Sequence, residues 1–172
     1  TMHPWQILDL LPRKAISKAF INRVKGFEAS AGFFTVYGVL EGDLGGKVDG
    51  TIVSLFPHAD FEQLLDPSYR GEQAVVICGA AEQVAGRECH AVTAFEPSFP
   101  AHVAAWWDTC VGRRPAEYAA YKAGRGAAIR RRRESYDSRY REHFTPLDAA
   151  SLLTFRDYLN SVGFVEFQSP KI

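Results

Sequence analysis

The chain has 172 residues, of which 47% are hydrophobic and 23% charged, with Lys+Arg and Asp+Glu balanced at 20 each. That length and apolar content fit one folded domain and exclude a disordered chain. Zero net charge excludes a partner recruited by bulk charge alone. Ten basic and only three acidic residues nevertheless fall between Arg113 and Arg141, so this segment is strongly cationic. The cysteines Cys78, Cys89 and Cys110 are odd in number and form no Cys-x-x-Cys pair. They read as free thiols in a reducing, cytoplasmic setting.

In chain order, HPWQILDLLP predicts a brief helix ending before Pro12. Arg13 to Val24 predicts a second, with Ile16, Phe20 and Val24 on one side and Gly26 as its stop. GFFTVYGVLE, Gly32 to Glu41, predicts a strand. Phe34, Val36, Gly38 and Leu40 share one face, and Phe33, Thr35, Tyr37 and Val39 the other. Both faces are largely apolar, which predicts burial between two layers. GDLGGKVDG reads as a loop, TIVSLF as a second strand, and Asp60 as the start of a short helix carrying Phe61, Leu64 and Leu65. Gln73–Ala81 and Glu88–Pro97 predict two further strands around a turn at Gly86, and Pro100–Trp107 one or two helical turns. From Pro115 the pattern is helical through the basic region. Thr145-Pro146 predicts a new helix with Thr as N-cap and Leu152, Phe155 and Leu159 on one side. The expected fold is α+β: a mixed or antiparallel sheet of about four strands covered by helices, with a helical C-terminal third. One domain over 1–172 is expected, with 162–172 as an atypical tail.

Motifs for several chemistries are missing. No G-x-G-x-x-G follows a strand, and there is no P-loop, H-E-x-x-H, G-x-S-x-G or paired Cys/His at metal-ligand spacing. Cys89 and His90 are strand neighbours that point to opposite faces, which argues against a catalytic pair. Asp9, Glu28, Asp60, Asp108 and Asp157 are isolated along the chain and suggest no acid–base couple.

Four stretches do carry a resemblance: RVKGFEASAGFFTVYGVLEGDL (Arg23 to Leu44), AFEPSFPAHVAAWW (Ala94 to Trp107), AEYAAYKAGRGAAI (Ala116 to Ile129) and FTPLDAASLLTFRDYLNS (Phe144 to Ser161). Their order, with Tyr118-x-x-x-Lys122 and the Thr-Pro-Leu and Arg-Asp-Tyr elements, resembles the substrate domain of the flavin-dependent phytoene desaturase, carotenoid isomerase and retinol saturase group. The resemblance implies an oxidoreductase acting on a polyene or similar hydrophobic substrate, with FAD as the redox cofactor. This chain departs from that family in lacking the glycine fingerprint, and VGFVEFQSPKI does not continue the family's flavin-completing segment. The expectation is therefore a truncated or separated substrate domain, inactive alone and binding no FAD itself. Its flavin-binding partner would lie on another segment or chain.

Within that resemblance, Phe33, Phe34, Tyr37, Phe95, Trp106 and Trp107 are the candidate substrate-binding residues, set against the alternative that each ring fills the core. A face left open by a missing partner would also promote self-association. Arg130, Arg131, Arg132 and Arg133 are candidates for binding an anionic surface, which would bring peripheral contact with a membrane. Successive helical residues lie ~100° apart, so the four spread around the cylinder, and a solvated, salt-bridged helix is the competing reading. Two further function classes stay open: a non-catalytic module for a hydrophobic ligand or a protein, and, least favoured, a basic-helix nucleic-acid binder.

Overall fold

A computed structural model of the chain describes residues 8–26, 31–42 and 52–159. Trp5, Ile7, Glu28, most of the predicted loop after Gly42 and the 162–172 tail lie outside the described residues, as does the side chain of Leu159.

Near the N-terminus, residues 8–10 are helical, and a 3-10 turn (Arg13–Ala15) precedes helix α1 (Lys18–Lys25). The single helix expected from Arg13 to Val24 is thus broken at Ile16, which is extended at φ −120°, ψ 129°. The cause is local. The Ser17 hydroxyl accepts the Phe20 N–H at 3.1 Å and begins a new helix there. Gly26 ends α1, as its position predicts.

Five strands build one antiparallel sheet: β1 (Gly32–Glu41), β2 (Ile52–Leu55), β3 (Val75–Val84), β4 (Arg87–Ser98) and β5 (Phe144–Ala150), in spatial order β2-β3-β4-β1-β5. The β3–β4 hairpin closes over Ala85 and Gly86, both at positive φ, as a two-residue turn between twisted strands requires. Short helices α2 (Phe61–Leu64) and α3 (Pro100–Val103) flank the sheet. They are followed by the 21-residue α4 (Ala116–Tyr136), then α5 (Arg139–Glu142) and α6 (Leu152–Leu159). The fold is α+β with a helix-rich C-terminal region.

The fifth strand corrects the sequence reading. Thr145-Pro146 does not cap a helix; it runs extended beside β1. Proline is tolerated because β5 is an edge strand and Pro146 pairs with Gly38 where the register shifts. The true helix start is Ser151, whose hydroxyl accepts the Leu153 N–H at 3.2 Å while the Thr154 hydroxyl accepts the Ser151 N–H at 3.1 Å.

Alternation sorts the side chains. Phe34, Val36 and Leu40 of β1 join Val92 and Ala94 of β4 and Val75 and Ile77 of β3 in one core, closed from above by Ile129 of α4 and by Tyr140. A second cluster, Val103, Tyr118, Leu152 and Leu153 with Trp106 and Trp107 against it, joins α3, α4 and α6. The expected burial of β1 between two layers holds throughout for one face and in part for the other. On that other face Thr35 is buried, but Tyr37 is 36% exposed and Phe33 and Val39 are half-buried.

Candidate functional site

The half-open face of the sheet is the candidate site. Its composition follows from the register. One row across the strands reads Ile52, Cys78, Thr93, Tyr37, Asp148, and the next reads Ser54, Val76, Phe95, Thr35, Ala150. Phe33 lies opposite Pro97, and Val39 lies between Ala91 and Thr145. The Phe33 and Phe95 rings meet edge to face with centroids 4.8 Å apart. Strand spacing of ~4.8 Å and a rise of ~3.4 Å per residue make this surface roughly 20 Å on a side. Asp148 ends the first row at the β5 edge, but its carboxylate reaches Lys122 of α4 on the other side of the sheet, 3.9 Å from Nζ. Val76, Cys78 and Phe95 are half-buried on this face, whereas Thr35 and Ala150, at its β1–β5 end, are buried.

At the hairpin end, the same face runs into a cleft of about 650 Å³. Val39, Val84 and Cys89 supply its apolar wall, and Glu41, Arg87, Glu88, Arg139 and His143 its polar rim. The whole is an apolar track that ends in a polar-rimmed hollow.

Of the six aromatic candidates, Phe33, Tyr37 and Phe95 come together on this face. Phe34 does not: it points to the opposite side and is fully buried in the core. Trp106 packs on Tyr118 and Tyr121, with centroids 5.6 and 5.2 Å away. Trp107 lies under Arg156, whose guanidinium carbon is 5.4 Å from its ring. Both tryptophans belong to the helical cluster. Arg156 also donates to the carbonyls of Trp107 and Thr109, and Asp157 pairs with Arg114, so the Arg-Asp pair ties α6 to the chain before α4.

The four arginines diverge as helical geometry requires. Arg130 and Arg131 are exposed. Arg132 reaches Glu72, with Nη1 3.2 Å from Oε1. Arg133 is only 1% exposed, so it adds nothing to an outer cationic surface.

The sequence reading passed over a buried polar cluster under the opposite face of the sheet. Glu96, 3% exposed, lies with Oε1 2.6 Å from Nε of Arg125, a close ion contact without hydrogen-bond geometry. Burial pushes the Glu96 carboxyl up to about 7, and the adjacent guanidinium only partly offsets it. Burial, with help from Arg125, pulls His102 down to about 4. Burial also raises the phenol of Tyr121. The readable signal was alternation: Glu96 occupies an inward position two residues beyond Ala94 and four beyond Val92. The cluster packs as an internal polar patch of the core.

The cofactor implied by the resemblance can be tested on the chain. A dinucleotide needs a glycine turn opening on a helix N-terminus after a strand. Among the described residues the strand-to-helix step from β5 to α6 comes nearest, and it is filled. Ser151 is fully buried, its hydroxyl 2.6 Å from that of Tyr118, and Leu152 and Leu153 are core residues. That step therefore offers no glycine cradle for a dinucleotide. Nor do the described residues group three or more His, Cys, Asp or Glu for a metal ion, and no described helix is long and apolar enough to cross a membrane. Comparison of the chain with protein-family models, curated proteins and solved structures finds no match.

Proposed function

We propose that this chain is a ligand-binding domain that lays an elongated apolar molecule of the polyene class along the open face of its sheet. The observation that carries the reading is the convergence of Phe33, Tyr37 and Phe95 on one apolar surface that continues past Val39 into the polar-rimmed cleft. Ligand sites are concave and mainly apolar, with a few polar groups that fix orientation. Here the track would hold the chain of the molecule, and the rim of Arg87, Arg139 and His143 would receive a polar end. The order of segments resembling the phytoene desaturase, carotenoid isomerase and retinol saturase group supports the same ligand class. In that group redox chemistry belongs to FAD, and the described residues offer no glycine turn at a helix start to cradle it, so the role assigned here is binding and orientation. A flavin-bearing partner docked over the track would make it part of an oxidoreductase. Without one it is a hydrophobic-ligand module.

The test is titration of the full chain with all-trans-retinol, followed by its fluorescence. Saturable binding that is lost when Tyr37 and Phe95 are both replaced by Asp supports the proposal. Absence of binding, or binding unchanged in that variant, refutes it.

A further inference from the structure

A second cleft, of about 320 Å³, opens on the other side of the sheet between α4 and the β1–β5 edge. Its cationic wall comes from one helix. Lys122, Gly126, Arg130 and Arg133 follow at intervals of four, four and three, so they share one face of α4. Gly126 leaves room between the cations: a Cβ built there would meet only Val36, at 4.0 Å. The opposite wall is apolar, formed by Val36, Pro146, Leu147 and Ala149.

Arg133 is the unusual member. Its guanidinium is stacked 3.7 Å over the Phe144 ring and 5.6 Å from that of Tyr140. Among the described residues no carboxylate lies in salt-bridge range of it, and its Nε and Nη1 are buried with no hydrogen-bond partner among them. Burial draws it down to about 10, so it remains a cation at neutral pH. A buried cation without an anion is costly. Stacking on aromatic faces recovers part of that cost and leaves the donors unused. The cleft as a whole sets three cations against one carboxylate, Asp148, which lies 3.9 Å from Lys122. Arg130 is 55% exposed and touches Glu134 at 3.9 Å, a rim contact easily exchanged.

We propose that this cleft binds a phosphate monoester bearing a short apolar tail, with Arg133 as the buried contact and Arg130 and Lys122 at the mouth. The charge excess matches a phosphate monoester, which carries about −1.5 to −2 at neutral pH. Guanidinium donors suit its oxygens. The volume lies at the lower end of small-molecule pockets, ~300–1,000 Å³, so a phosphate group fills one end and the apolar wall calls for a tail.

Isothermal titration of the full chain with hexyl phosphate, inorganic phosphate and hexanoate tests the proposal. Hexyl phosphate should bind saturably, and the other two at least about tenfold more weakly, since each lacks one half of the recognition. Arg130→Gln should weaken hexyl phosphate about tenfold. Gly126→Leu fills the cleft and improves helix propensity, so it should abolish binding while the melting temperature holds or rises. Arg133→Met is the direct variant but risks the fold, so the glycine variant decides. No binding of hexyl phosphate, equal binding of inorganic phosphate, or undiminished binding by a folded Gly126→Leu protein would each overturn the site. Retinol binding depends on the opposite face, so either reading can fail while the other stands.

Discussion

The guanidinium of Arg133 lies 3.7 Å above the centre of the Phe144 ring, and that stack rests on a glycine. A Cβ at Gly38 would sit 2.2 Å from Cζ of Phe144 and 2.5 Å from the carbonyl oxygen of Thr145. The ring could swing aside, but the backbone oxygen belongs to β5. Gly38→Ala should therefore destabilise the protein by about 2 kcal/mol or more, the range of core overpacking. Gly124→Ala, in open space on α4, should instead stabilise it by about 0.5–1 kcal/mol. Urea unfolding of the two variants beside the parent checks the opposite signs.

The Tyr118–Ser151 hydroxyl pair, 2.6 Å apart and buried, joins α4 to the start of α6. Ser151→Ala removes this bond and also the acceptor for the Leu153 N–H. A loss of about 1–3 kcal/mol is expected. Tyr118→Phe should cost less, because it leaves the helix start intact. The double variant should cost less than the sum of the two, since both remove one shared bond. Equilibrium unfolding of the four proteins measures the coupling.

Glu96 should give the protein a measurable pH dependence. Its carboxyl titrates near 7 when folded and near 4.5 when free. The folded state therefore holds a proton that the unfolded state has released, and the stability gained is full below about 4.5 and lost as pH rises through 7. His102 acts oppositely. With a folded value near 4 against 6.5, its contribution is present above 6.5 and lost as pH falls toward 4. Between about pH 4.5 and 6.5 the two slopes oppose each other. Replacing Glu96 by Gln should expose the histidine slope, and the parent's melting temperature should fall relative to that of the variant from pH 5 to pH 8. A difference constant across that range contradicts the assignment.

Much of this architecture could be read from the sequence, and the failures have local causes. The two-faced alternation of Gly32 to Glu41 places Phe34 and Tyr37 on opposite sides, as the sheet does. The long helix after Pro115 and the turn at Gly86 are where composition puts them. Two capping signals decided the misses. Ser17 divides the first helical segment, and the Ser151–Thr154 pair, rather than Thr145, begins the last helix. Thr-Pro suits a helix start and an edge strand equally, and only pairing with β1 chooses between them. Phe34, Trp106 and Trp107 show why aromatic content alone does not define a binding surface: a ring's role depends on the face it occupies. The cation cleft was harder to foresee. Four consecutive arginines read as an outer surface, and only packing against Phe144 turns Arg133 inward.

The account centres on the open face of the sheet. Its most direct test is retinol fluorescence titrated against the parent chain, the Tyr37→Asp/Phe95→Asp variant and the Gly126→Leu variant. The account predicts saturable binding by the parent and by Gly126→Leu, with loss of about tenfold or more in the doubly substituted protein, whose carboxylates make the track polar. Equal affinity in all three proteins, or no binding by the parent, would contradict it.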